Sequence, residues 1–346
     1  MIATGVAPAA WPRPQPLEER LLHVDPARGT LRDVRVIELP ELLKPGDVLV
    51  VNDAATLPAS LPARVNGVGA EIRLLEDLGG GEWRAVLFGP GDWRIRTESR
   101  PPPPRVSEGE LLVVAGLDAR VTQVSPLSPR LVQLGFHASP DAFWNAVYRR
   151  GRPVQYAHLA EELPLWHVQT SYAGRPWAME MPSAGRPLRW SLLLKLRRQG
   201  VLVVPLTHAA GLSSTGDAEL DRALPLAEQF EIPRAAAEAI AAAKRSGGRV
   251  VAVGTTVVRA LEGSFAQHGR LLASAGRTDL RIGPRFRPKV VDGLLTGIHE
   301  PGTSHFELAQ AFAGADLLHR ALAHAAAQGY LSHEFGDSML LLGGKG

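Results

Sequence analysis

At 346 residues the chain is long enough for two folding units, and its 45% hydrophobic and 21% charged residues describe an ordinary globular protein, not a disordered or fibrous one. The absence of cysteine excludes a disulfide framework, a thiolate zinc centre and an iron–sulfur cluster. The formal net charge is +3, and only five of the 38 basic residues are lysine, so the positive charge is carried by arginine, whose planar fork suits phosphate.

Residues 1–16, "MIATGVAPAAWPRPQP", are proline-rich and aperiodic, which predicts an extended arm. "VIELPELLKPGDVLVVND" predicts a short helix, a Lys-Pro-Gly-Asp turn and a buried strand, Val48–Val51, ending at Asn52-Asp53. The character changes between residues 57 and 156. Short alternating runs such as "EWRAVLF", "ELLVVAG" and "ARVTQV" are separated by glycine- and proline-containing turns, the pattern of a small antiparallel barrel. "RPPPP" at 100–104 cannot sit inside a sheet and is a loop.

An amphipathic helix is expected at Asp141–Arg150. Beyond it, helices alternate with strands: "WSLLLKLRRQG" is a helix closed by Gly200, "VLVVPLTHA" a buried strand, and "PRAAAEAIAAAKRSGG" a helix with Pro233 in its first turn. "VVDGLLTGIH" reads as a further strand, followed by alanine-rich helices at 304–313 and 315–328. Such alternation implies a mostly parallel sheet flanked by helices. The expected architecture is therefore α/β: residues 17–56 and 157–346 form a discontinuous α/β domain, interrupted by an inserted small antiparallel β-barrel domain at 57–156.

No apolar run is long enough to span a membrane and no signal-peptide pattern opens the sequence, so no membrane partner is expected and the cytoplasm is the expected compartment. Nothing in the chain calls for an oligomer, which favours a monomer.

"RVVAVGTTVVRALEG" (249–263) has the form of a buried strand, a glycine-hydroxyl turn and a helix. In an open α/β sheet such a turn lies where polar and anionic ligands bind, with free backbone N–H groups facing the crevice. It lacks the glycines of a dinucleotide fingerprint and the Gly-Lys-Thr of a phosphate loop. A plain strand-ending glycine with a capping threonine fits the stretch equally well. Downstream, Arg277, Arg281, Arg285 and Arg287 stand in a segment whose one acid is Asp279. That run suits either a solvated face or contact with a phosphate backbone.

Five blocks, in order, resemble the S-adenosylmethionine:tRNA ribosyltransferase-isomerase family of the queuosine pathway. They are "LPELLKPGDVLVVND" (39–53), "QTSYAGRPWAMEMPSAG" (169–185), "GGRVVAVGTTVVRALE" (247–262), "VVDGLLTGIHEPGTSHFELAQAFAG" (290–314) and "FGDSMLLL" (335–342). The resemblance implies an α/β domain carrying an inserted β-barrel. It also implies transfer of the ribosyl part of S-adenosylmethionine to an aminomethyl-deazaguanine of tRNA, with adenine and methionine leaving and the sugar isomerising to give epoxyqueuosine. S-adenosylmethionine is then a cosubstrate, tRNA the partner, and no bound cofactor or metal is implied.

By the same resemblance, Gly254, Thr255, Thr256 and Arg259 belong to the substrate pocket with Asn52, Asp53, Pro182, Ser183, Gly185 and Thr296. His299, His208 and Asp292 are the candidate acid–base groups, and Arg277, Arg281, Arg285 and Arg287 the candidate tRNA contacts. Each has a plainer role available: a buried structural histidine, a capping aspartate, an exposed helix arginine. His305 and His319 read as helix-surface residues. The chain also departs from the family pattern. "AGRPLRW" replaces a segment with His and Phe, and "DRALPLAEQ" replaces a His-Lys-Met-His-Ser-Glu segment, keeping its Glu as Glu228. Two other functions would keep the fold: a non-catalytic tRNA- or nucleoside-binding paralogue, and a transferase acting on a small nucleoside. The arginine run favours the tRNA functions over the small-molecule one.

Overall fold

The computed structural model describes residues 5–343. Six antiparallel strands, Ser60–Val65, Val68–Gly79, Glu82–Phe88, Leu111–Val114, Leu117–Val124 and Leu131–Phe136, close into a barrel. Alternate positions point inward, so Leu61, Ile72, Leu87, Leu112, Val121 and Leu134 fill it. The helix Pro140–Arg150 packs against the barrel through Phe143, whose ring stacks on Trp83 at 5.2 Å.

Nine strands form the second unit, in the order Ser274–Thr278, Glu228–Ile232, Leu202–His208, Val48–Asn52, Val250–Val253, Gly293–Gly297, Ser338–Leu341, Arg20–Asp25, Thr30–Arg35. The four central strands, from Leu202–His208 to Gly293–Gly297, run parallel, and the flanks are largely antiparallel. The sheet is therefore mixed, with its parallel part at the centre.

Period-two alternation divides the central strands between two cores. Val48, Val50, Val250, Ala252 and Leu294 face one side, under Ala236, Ile240, Val257, Leu261 and Leu318 of the covering helices. Leu49, Val51, Val251, Val253 and Leu295 face the other, under Leu192 and Leu196. The helix Arg234–Arg245 buries Ala236, Ala237, Ile240 and Ala243 and leaves its charged face in water, the 3.6-residue pattern its sequence carries.

The proline-rich segment is extended but anchored. Ala7–Pro8 pairs in parallel with Leu331–Ser332, and Arg13 meets Asp337 at 2.7 Å. The first four residues of the expected arm lie outside the described residues. No helix among the described residues is long and apolar enough to cross a membrane.

Candidate active site

The parallel strands end on one rim, and there the strand Val250–Val253 breaks at Gly254. This residue has φ +90° and ψ 155°, a backbone conformation that disfavours any side chain. Gly254 brings no side chain to cap the helix Thr255–His268 that follows, so its first turn presents backbone N–H groups at the rim. The short helical turn Ser183–Gly185, preceded by Pro182, lies beside it: a Cβ added to Gly254 would sit 3.6 Å from that of Ala184. Gly185 is required for space, because a Cβ there would meet the Tyr172 hydroxyl at 2.1 Å.

Asn52 ties this rim together. Its Oδ1 accepts from the His208 N–H at 2.9 Å, while its Nδ2 donates to the His208 carbonyl at 2.9 Å and to Thr256 Oγ1 at 3.4 Å. Asp53, next along the strand, accepts from Thr207 Oγ1 at 2.6 Å, and burial pushes its carboxyl pKa up. Burial, followed by the charge of Asp53, also raises the Tyr172 phenol, whose buried hydroxyl lacks a hydrogen-bond partner among the described residues.

His208 is fully buried, and neither ring nitrogen makes a hydrogen bond among the described residues. Its Nε2 lies 3.4 Å from Glu228 Oε2. Burial first, and the Arg259 charge second, push its pKa down to about 3, so the ring is neutral and this contact is not an ion pair. Glu228 accepts instead from Arg259 and from the Gly211 N–H at 2.9 Å. Arg259 is buried, and also reaches the carbonyls of Leu280 at 3.3 Å and Leu226 at 3.4 Å. It is not an exposed helix arginine.

One strand further, Thr296 Oγ1 and His299 Nε2 are hydrogen-bonded at 2.7 Å. His305 is no surface residue: its ring stacks on His299 at 4.9 Å, and burial, then Arg259, push its pKa to about 4. His319 is exposed.

Among known proteins, a family model described as "Queuosine biosynthesis protein" matches residues 7–341. The chain belongs to that family. It is 38% identical to the S-adenosylmethionine:tRNA ribosyltransferase-isomerase of Thermus thermophilus, over 89% of this chain and 88% of that one. It is 35% identical to the protein of the same name from Moorella thermoacetica, over 95% of each. A crystal structure of the S-adenosylmethionine tRNA ribosyltransferase from Thermotoga maritima matches with a TM-score of 0.54 at 26% identity, covering 97% of this chain and 96% of that one.

Two parts of the expected site in this queuosine-family chain lie elsewhere. Asp292 is at the opposite rim, where its carboxylate accepts from the Val250 N–H at 2.8 Å and faces Lys244 at 3.7 Å. Chain direction is the reason: Asp292 precedes a strand parallel to Val250–Val253, whereas Gly254 follows one. It caps the sheet and does not join His208 and His299. The arginines also divide. Arg277 pairs with Glu76 of the barrel at 2.7 Å, and Arg281 donates to the carbonyls of Arg222 and Ala223. Arg285 and Arg287 are exposed, and Arg287 bonds only to carbonyls of its own loop among the described residues.

Other groups at this rim were missed in the sequence. Glu180 accepts from Tyr156, from the Ser213 N–H at 2.9 Å and from the Ser213 hydroxyl, and burial raises its pKa. Glu19 accepts from Arg186 and, at 3.0 Å, from Ser338; burial pushes its pKa up to about 7. The available signal was a carboxylate inside an apolar loop, "AMEMPSAG", and an arginine directly after it. A small crevice opens beside Glu228, lined by Leu75, Glu76, Arg84, Leu212 and Leu226 from both the barrel and the sheet side.

Proposed function

We propose that this protein transfers the ribosyl part of S-adenosylmethionine to the aminomethyl group of a 7-deazaguanine in tRNA and isomerises the sugar to the epoxycyclopentane of epoxyqueuosine. The observation that carries this is the family match along residues 7–341, joined to relatives of that name at 35–38% identity over nearly the whole chain. The rim geometry supports it. The reaction requires a proton acceptor near the ribose carbons and a proton donor for departing adenine, held away from water. Neutral, buried His208 has acceptor capacity to offer, and Glu228, its carboxyl pKa raised by burial, stands beside it with Arg259. The uncapped first turn after Gly254 and the Thr255 and Thr256 hydroxyls suit the carboxylate or ribose hydroxyls of the cosubstrate.

On this reading residues 57–156 are an inserted barrel domain within an α/β domain of residues 17–56 and 157–346, and both contribute walls of the crevice. The protein works as a cytoplasmic monomer, and tRNA lies along the exposed Arg285–Arg287 loop.

A second reading, the same fold with an altered nucleoside pocket, is favoured by Arg186. It stands in the segment where the family carries His and Phe, and its guanidinium turns inward onto Glu19 and over Phe335. Incubation with S-adenosylmethionine and tRNA bearing the aminomethyl base separates the two. Adenine and methionine released in equal amounts with a matching tRNA mass gain is the expected result. Binding of both substrates without adenine release points instead to a non-catalytic paralogue, and binding of neither supports the altered pocket.

A further inference from the structure

His158 lies in the segment that leaves the barrel's helix, and His333-Glu334 in the tight turn between Leu331–Ser332 and Ser338–Leu341. The fold brings them together. His158 Nε2 is 3.2 Å from Glu334 Oε2, and the two imidazoles face each other with centroids 4.4 Å apart. One donor atom from each of the three residues lies within 4.8 Å of the others. We propose that His158, His333 and Glu334 bind one divalent transition-metal ion of the zinc class.

Tetrahedral zinc, with bonds of roughly 2.0–2.2 Å to nitrogen and oxygen, holds its donors roughly 3.3–3.5 Å apart. The His158–Glu334 pair is already about that close, and the third donor needs to close by at most about 1.5 Å, which a side-chain rotation provides. Two imidazoles and one carboxylate form a donor set of borderline softness that leaves a fourth position open.

Two further observations point to a ligand here. His158 Nε2 is buried without a well-aligned hydrogen bond, which a metal bond would resolve. His333 has φ +65°, a left-handed conformation uncommon for a residue with a side chain and one that tends to persist where a site over-determines it. A simple His158–Glu334 ion pair explains neither that backbone nor the second imidazole held 4.4 Å from the first. The site adjoins the cleft, since Glu334 acts electrostatically on Glu180 and His333 on His299. It is independent of the proposed tRNA activity.

The test is metal binding by the full-length, tag-free protein after chelator treatment. Calorimetric titration with Zn²⁺ is expected to give one ion per chain, and Co²⁺ to give the intense visible bands of four-coordinate geometry. His158→Gln and His333→Asn are each expected to weaken Zn²⁺ at least about a hundredfold, because one of three protein ligands is removed. Asparagine tolerates the left-handed backbone, so His333→Asn spares the turn; an unchanged melting temperature without metal confirms this. His319→Gln, exposed on the helix Ala315–Ala327 and outside the cluster, is expected to leave the affinity unaltered. Absent or substoichiometric Zn²⁺ binding, binding unchanged in both ligand variants, or only the weak spectrum of six-coordinate Co²⁺ overturns the proposal.

Discussion

The two rims of the parallel sheet are built from the same strands and treat polar groups in opposite ways. At the rim where the strands begin, the buried charges of Asp47 and Arg249 are matched. Asp47 accepts from the Arg249 backbone N–H at 2.9 Å, from its guanidinium at 2.6 Å and from the Lys44 N–H at 2.8 Å. Arg249 directs its remaining donors to the carbonyls of Leu42 and Gly343. At the rim where they end, His208, Tyr172 and Thr170 hold buried polar atoms with no hydrogen-bond partner among the described residues. Leaving such groups unmatched costs about 1–3 kcal/mol each, so a folded protein keeps them where something else binds. The beginning rim holds the fold together, and the ending rim is where we place the ligand.

The largest effect expected from this contrast is at the matched rim. Asp47→Ala strands the buried Arg249 charge and is expected to lower unfolding free energy by about 3–5 kcal/mol in urea titrations. Turnover per folded molecule should be unchanged. A loss of turnover with full stability would break the division between the rims.

Next, His208→Leu removes two unmatched nitrogens from the ending rim. Stability should hold or rise, while adenine release falls by about a hundredfold if the imidazole transfers a proton. A fall in stability with normal turnover would make His208 a structural residue.

The smallest effect separates the arginines. Arg285→Ala with Arg287→Ala should flatten the log–log salt dependence of tRNA affinity by roughly 0.7–0.9 for each phosphate that is no longer neutralised. Arg277→Ala, which instead unties the sheet from Glu76 of the barrel, should leave that slope as it was. Equal effects from both changes would return all four to one phosphate-binding face.

Much of this was legible in the sequence because it is local. Val250–Val253, the glycine turn and the helix after it follow from β-branched runs, a positive-φ glycine and helical spacing within one short stretch. The barrel strands follow from alternation and turn residues. Asp292 was misplaced although its position before a strand already fixed its rim. What the sequence could not show is which distant groups meet. Glu180 with Tyr156, Arg186 with Glu19, and His158 with His333 each join segments whose separation carries no periodic signal. The antiparallel flanks of the sheet were hidden for the same reason, since strand direction is settled by long-range pairing.

The Ser338–Leu341 strand lies between Gly293–Gly297 and Arg20–Asp25, so the early hairpin Arg20–Arg35 joins the sheet only through it. On the ribosome that hairpin emerges near the start and must wait on the order of tens of seconds for its partner, at roughly 5–20 residues per second. The barrel closes from contiguous strands and is complete long before. Nascent chains thus carry a finished barrel beside an unpaired edge bearing Leu21, Leu22 and Val24, all fully buried in the end. Chaperone demand during synthesis falls on that waiting edge, and it ends when the closing strand leaves the exit tunnel.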